Sequence, residues 1–213
     1  MLRRVSRGRF ITFEGGEGAG KSTQARRLAA ALRASGVEVV ETREPGGSPG
    51  AEAIRALLLT GEVERWTPTA EALLMYAARS DHLDRVVRPA LARGAWVVCD
   101  RFADSTRAYQ GAGGGVDRDL VEGLEGAVVA EDWPDLTLLF DMPVADGLAR
   151  AAGRGGDEAR FEAKGTAFHE RLRQAFLEIA AREPDRCAIV DATRSMDEVE
   201  IAVRDAVRAR LGV

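Results

Sequence analysis

Residues 15–22 read Gly-Gly-Glu-Gly-Ala-Gly-Lys-Ser and follow a short apolar run, Phe10-Ile11-Thr12-Phe13. The spacing G-x-x-x-x-G-K-[ST] between a strand-like and a helix-like segment constrains the chain strongly, because it describes a loop whose backbone amides wrap phosphate oxygens. Gly15, Gly18 and Gly20 allow that approach by carrying no Cβ. The run from Lys21 predicts a helix over 21–35, with its N-terminal amides and dipole turned to the anion. The predicted binding set is Gly15, Gly16, Glu17, Gly18, Ala19, Gly20, Lys21, Ser22 and Thr23. In it Lys21 places a point charge at the β and γ phosphates and Ser22 offers its hydroxyl to Mg²⁺. Lys21 is one of two lysines among 30 basic residues, so its place in the loop is unlike the arginine usage elsewhere. The loop implies a nucleoside triphosphate ligand.

Beyond this loop, short apolar runs at 9–14, 37–42, 95–100, 136–141 and 187–191 alternate with helical patterns near 21–35, 51–60, 68–93, 117–130, 143–152, 162–182 and 196–211. Such alternation predicts an α/β chain of the three-layer P-loop NTPase type, a five-stranded parallel sheet with helices on both faces. With 213 residues, 46% hydrophobic and 30% charged, the chain reads as one domain, 1–213, with a sizeable core. Residues 1–8, with Arg3, Arg4 and Arg7, read as a solvated tail, together with Arg9. A net charge of −4 argues against a nucleic-acid surface. No run is long and apolar enough to span a membrane, and the start has no signal-peptide core. Cys99 and Cys187 each fall inside an apolar run, as buried thiols do, and a reducing cytoplasm fits them. The glycine clusters 111–115 and 153–156 read as mobile loops.

A second chemical signal is Trp96-Val97-Val98-Cys99-Asp100-Arg101, an apolar strand ending in a carboxylate and a guanidinium. Ligands bind at that end of strands in open parallel sheets. Asp100 suits Mg²⁺ or its water and Arg101 a phosphate, the alternative being a surface ion pair. Three further segments, Thr42-Arg43-Glu44-Pro45-Gly46-Gly47, Ala77-Ala78-Arg79 and Ser105-Thr106-Arg107-Ala108-Tyr109-Gln110-Gly111, complete an ordered set. With them the chain resembles the thymidylate kinases, P-loop enzymes that phosphorylate thymidine monophosphate (dTMP) with ATP and Mg²⁺. The resemblance runs from about Phe10 to the C-terminal helix.

The resemblance implies roles that composition and spacing do not give. Arg43 and Arg101 would take the acceptor's monophosphate, and Glu17 would face the sugar's 3′-hydroxyl. Arg79 would reach the thymine edge, while Ser105, Thr106 and Gln110 would line the base pocket and Tyr109 would crowd the 2′ position. Without the resemblance, Arg79 and Tyr109 read as helix-surface or core residues. Met75 stands where related enzymes carry an aromatic ring, so stacking on the base is expected to be weaker or supplied elsewhere. A lid over about 150–162 is implied, bringing Arg154 and Arg160 to the transferring phosphoryl group as catalytic charges beside Lys21 and Arg101. Arg150, Arg154 and Arg160 flank Gly153, Gly155 and Gly156, Glu162 would orient the lid or touch the acceptor, and a solvated arginine-rich helix end is the alternative. A homodimer is implied through helices, with Leu73, Leu74 and Ala77 serving either core or partner.

Other features carry no function. His82 and His169 lack metal-ligand spacing and read as surface or partly buried residues, so replacing His82 is expected to cost little. Trp66 and Trp133 read as loop and packing residues. Asp191-Ala192-Thr193 reads chemically as a helix N-cap. A guanine-reading Asn/Thr-Lys-x-Asp segment is not present, since the second lysine is followed by Gly165 and Thr166. A P-loop kinase for another nucleoside monophosphate or a small hydroxylated metabolite is the alternative enzyme. A non-catalytic nucleotide-binding subunit is the alternative outside the enzymes.

Overall fold

Phe10–Gly15 forms strand β1, and all six of its residues are buried. Its side chains alternate between two helical layers, which explains why an apolar run rather than an alternating one encodes it. The computed structural model describes residues 7–62, 64–152, 161 and 164–213. Strands β2 (Val39–Arg43), β3 (Trp96–Asp100), β4 (Leu136–Asp141) and β5 (Cys187–Asp191) join β1 in one sheet of order β2-β3-β1-β4-β5. Every pairing is parallel. The five strands fall where the sequence places them, within two residues at each end.

One face of the sheet is covered by α1 (Lys21–Ala34) and α9 (Met196–Leu211). There Ile11, Phe13, Val98, Leu138 and Phe140 pack with Leu28, Val199 and Val203. On the other face, α3 (Pro68–His82) runs through a π-helical turn, Leu83–Val87, into α4 (Arg88–Ala92). That continuous helix buries Tyr76, Leu83, Val87 and Leu91 against Phe10, Val97 and Cys99. Beside it α8 (Thr166–Arg182) packs Phe168, Leu172 and Phe176 against Leu139 and Cys187. The shorter helices are α2 (Pro49–Leu59), α5 (Ala103–Thr106), α6 (Arg118–Val128) and α7 (Val144–Ala152).

Several expectations are corrected. Residues 103–113 are helical, α5 running into a π-helical segment Arg107–Gly113, so the cluster 111–115 is a loop only after Gly113. The glycines hid the helix, because local propensity disfavours it while packing against α8 imposes it. His82 and His169 are buried at 0% and 3% exposure. Arg7 and Arg9 are tied down by Asp132 and Asp135, and Gly8 donates to the Leu91 carbonyl at 2.9 Å, so the tail reading does not extend to these residues. Asp191 accepts from the Thr193 amide and hydroxyl in a turn, while Ser195 caps α9 in a reciprocal box with Glu198. Cys99 and Cys187 are buried and free. Arg154, Arg160 and Glu162 lie outside the described residues.

The topology positions the site. Chain order reverses at β1, with β3 on one side and β4 on the other, and ligands bind in the crevice at such a switch point. The register sets Asp100 beside both Phe13 and Arg43, and Gly15 beside Phe140. Leu138 is fully buried at the centre of this sheet. Leu138→Ala is expected to destabilise the fold by about 3 kcal/mol, read as a lower urea midpoint with an unchanged slope.

Candidate active site

The loop after β1 turns through left-handed glycines, Gly15, Gly18 and Gly20 at φ 130°, 70° and 88°. At two of them close packing adds to the backbone demand. A Cβ on Gly15 would stand 2.3 Å from the Phe140 carbonyl oxygen, and one on Gly18 would stand 1.9 Å from the Gly147 carbonyl oxygen. Gly20 caps α1 without any side-chain hydrogen bond, and the first turn carries no acid. The helix end therefore presents amides and positive dipole with no built-in anion to compete. Lys21 folds back to donate to the Gly16 carbonyl at 2.6 Å. Ser22 is exposed and Thr23 half-buried beside it.

Across the crevice, the turn after β3 holds Arg101 at φ 69°, a left-handed conformation that costs any residue with a Cβ and persists only where the surroundings enforce it. Its guanidinium donates to both Glu17 carboxylate oxygens at 3.0 Å and to the Gly15 carbonyl at 3.1 Å. Tyr109 donates to Glu17 Oε1 at 2.6 Å, and its ring lies 5.0 Å from the Arg101 guanidinium. Burial pushes the Glu17 carboxyl up, but the Arg101 and Lys21 charges and the Tyr109 hydrogen bond outweigh it and hold the group at about 2. Glu14, one residue before the loop, accepts from the Phe102 amide at 2.7 Å and the Ser105 hydroxyl at 2.6 Å. Complete burial and the nearby Asp104 carboxylate push it up to about 7, despite those hydrogen bonds and the Arg101 charge.

A pocket opens next to this ion pair, lined by Glu17, Met75, Arg79, Arg101, Ser105, Thr106, Tyr109 and Gln110 together with Glu44, Pro45, Leu59, Phe102 and Phe161. Eight of the nine acceptor residues named from sequence are thus brought together. The ninth, Arg43, is half-exposed and donates to both oxygens of Glu52. Met75 is joined by the rings of Phe102, Tyr109 and Phe161, so the pocket has aromatic walls although the stacking position is aliphatic. Arg79 is buried, donating to Glu44 at 2.8 Å and Thr106 at 3.1 Å. Gln110 donates to Glu71 at 2.8 Å. Arg150, at the end of α7, donates to the Ala192 carbonyl at 3.1 Å.

The residues that the sequence offers to a divalent metal are Ser22 and Asp100. Asp100 Oδ1 is buried with no hydrogen-bond partner among the described residues, and an orphaned carboxylate oxygen at the strand end fits Mg²⁺ or its water. Sequence reasoning passed over Glu14, Glu44, Phe102 and Gly147. Glu14 was visible as an acid closing an apolar run, and Glu44 lay unassigned inside the quoted Thr-Arg-Glu-Pro-Gly-Gly.

The family model described as thymidylate kinase matches residues 13–203. The chain belongs to the thymidylate kinase family. It is 62% identical over 209 residues to the thymidylate kinase of Caulobacter vibrioides, an alignment covering 98% of this chain and all of the relative. It is 54% identical over 213 residues to that of Bradyrhizobium sp. strain BTAi1, covering 99% and 94% of the two chains. Its fold matches the crystal structure of thymidylate kinase from Ehrlichia chaffeensis with a TM-score of 0.77 and 33% identity, over 95% of this chain and 99% of that one. Within this thymidylate kinase scaffold, the raised Glu14 has a pH signature. A carboxyl whose folded value lies above its unfolded value of 4.5 supports the fold fully below pH 4.5 and loses that support as pH rises through about 7. Urea titrations should therefore show wild type losing stability relative to Glu14→Gln between about pH 4.5 and 7, with a flat difference above that window.

Proposed function

We propose that this chain transfers the γ-phosphoryl group of ATP to dTMP, giving dTDP and ADP for deoxynucleotide synthesis. The observation that carries the reading is the pocket beside the phosphate loop, where Arg101, Arg79, Tyr109 and Glu17 line one cavity with apolar walls. A pocket with a cation at one end, a buried guanidinium at another and aromatic walls between them suits a flat base on a phosphorylated sugar. Family membership supports the same substrate pair.

The residues divide the work by position. The loop amides, the α1 N-terminus and Lys21 bind and orient the donor's phosphates. Ser22 and Asp100 would hold Mg²⁺, which neutralises charge on the β and γ oxygens when bound. Arg101 would transfer part of its hydrogen bonding from Glu17 to the acceptor's phosphate, and Glu17 would then be free to accept from the sugar's 3′-hydroxyl. Tyr109, fixed on Glu17, would leave little room for a 2′-hydroxyl. Arg154 and Arg160 would add charge from the lid, and Arg43 would join the acceptor's phosphate after releasing Glu52. A monophosphate is already anionic, so positioning and charge carry the rate and no strong base is required.

Further parts of the proposal concern setting. The whole chain would act as one kinase domain. Leu73 and Leu57, 48% and 43% exposed on the paired helices α3 and α2, would form the contact of a homodimer. Two buried free thiols suit a reducing cytoplasm. No helix among the described residues is long and apolar enough to cross a membrane.

The test is an ADP-release assay with ATP and Mg²⁺ and the thymidine, deoxyuridine, uridine, cytidine, adenosine and guanosine monophosphates. Preference for dTMP is the expected result; turnover of another acceptor alone would move the assignment to a different monophosphate kinase. In the same assay, Lys21→Ala and Arg101→Ala should each lower kcat roughly a hundred- to thousand-fold.

A further inference from the structure

Behind the acceptor pocket, side chains from β2, the loop after it, α3 and α5 form one continuous chain of polar contacts, buried except at its half-buried outer member, Thr42. Thr42 Oγ1 lies 2.8 Å from His82 Nε2, and His82 Nδ1 lies 2.9 Å from Glu44 Oε1. The second Glu44 oxygen accepts from Arg79 Nε at 2.8 Å, and Arg79 Nη2 donates to Thr106 Oγ1 at 3.1 Å. Exposure is 0% for His82, 2% for Arg79 and 5% for Glu44. The contact to Glu44 is satisfied with His82 Nδ1 as donor, and Nε2 meets the Thr42 hydroxyl, which can donate or accept. The Gly46-Gly47 turn seals the chain from outside: a Cβ on Gly47 would stand 2.3 Å from Thr42 Oγ1 and 2.7 Å from the His82 ring.

The guanidinium at the end of this chain is held on nearly every side. The Tyr76 and Phe102 rings lie 4.6 and 5.2 Å from its central carbon. Nε and Nη2 are engaged, while Nη1 is buried and has no hydrogen-bond partner among the described residues. A buried donor left unsatisfied is costly, and Arg79 lines the acceptor pocket. The vacancy on Nη1 is thus a place for an acceptor oxygen brought by a ligand.

We propose that His82 is a positioning residue for acceptor recognition: with Thr42 it fixes Glu44, and Glu44 fixes the fork of Arg79 so that Nη1 meets a carbonyl-type oxygen of the bound base. This deepens the acceptor reading above and rests on it for the ligand's identity. Arg79 rotates only by leaving the Glu44 carboxylate, and Glu44 turns only by leaving His82. Among the described residues, none of the hydrogen bonds in this chain reaches the phosphate loop, so its effect falls on the acceptor side. It reverses the expectation that His82 is dispensable.

The experiment compares wild type, His82→Leu, His82→Asn and Thr42→Val, with whichever monophosphate the wild type turns over fastest. His82→Leu keeps bulk and loses both hydrogen bonds. It should raise the KM for the acceptor roughly tenfold, the scale of one hydrogen bond to a charged group, with the KM for ATP moving less than about twofold. His82→Asn, which returns a donor near the Nδ1 position, should recover most of that loss. Thr42→Val preserves shape and removes only the outer hydroxyl, so a rise of about two- to threefold is expected even if His82→Leu fails to fold. Equal rises in both KM values, or an Asn variant no better than Leu, would overturn the proposal. Proton NMR of the free enzyme reads the chain without any substrate: wild type should show a slowly exchanging downfield imidazole proton that vanishes in His82→Asn. Its absence from wild type would overturn the chain whichever acceptor is used, whereas a wild type inactive on dTMP would instead count against the acceptor reading.

Discussion

Arg101 and Glu17 face each other across the crevice between β1 and β3, and the contact of Arg101 Nη2 with both carboxylate oxygens joins the phosphate loop to the strand-end turn. Two charges this deep are stable only as a pair, because either one alone would leave an uncompensated buried ion. The pair fixes the distance between the donor cradle and the acceptor pocket before any ligand arrives. It also holds Tyr109, whose hydroxyl shares the same carboxylate, and through Tyr109 it reaches the aromatic group of Phe161, Phe168 and Phe176. An anionic ligand entering beside Arg101 would compete with a carboxylate already in place, so the attraction it gained would be offset by the contact it displaced. Recognition at this point would be a substitution among anions in a largely buried site.

The same logic governs the layer below. Glu14 and Asp104 are both buried beneath the acceptor pocket, and they are treated differently. Asp104 receives two hydrogen bonds from Arg186 and one from Arg107, while Trp133 lies against both guanidinium groups, 4.3 and 4.8 Å from its ring. Glu14 has hydroxyl and amide donors at close range, and burial dominates its carboxyl. Buried ion networks of this kind are weak sources of net stability and stronger sources of fixed geometry. Here they set the height of Ser105 and Thr106 relative to the sheet.

Much of this was legible from residues alone, for physical reasons. Parallel strands buried on both faces are largely apolar, and the central runs of β1, β3 and β4 announce themselves that way, while the edge strands β2 and β5 are only partly buried. The glycine, lysine and serine pattern of residues 15–22 encodes chemistry as well as shape. Less legible was the helix through Ser105–Gly113, where Gly111 and Gly113 disfavour the conformation that tertiary packing imposes. His82 misled for a related reason: on a helix of ordinary polarity, sequence spacing does not tell that its partners Thr42 and Glu44 arrive from a distant strand end. Arg43 shows the converse: a guanidinium at the ligand edge of the sheet pairs with its neighbour Glu52 and lies outside the pocket lining. The roles of Arg79, Ser105 and Tyr109 came from the family resemblance, and it was the fold that gathered them.

Gly18 and Gly147 meet with no side chain between them, the Gly147 carbonyl passing where a Gly18 Cβ would sit, and a Cβ on Gly147 would lie 2.5 Å from the Glu17 carbonyl oxygen. Helix α7 begins just before Gly147 and leads directly toward residue 153. The anion cradle and the root of the segment beyond α7 therefore behave as two gears cut to the same pitch, with bare backbone as teeth. The helix that leads out to residue 152 is thus seated on the phosphate loop, backbone against backbone, and neither glycine can gain a side chain without parting the two.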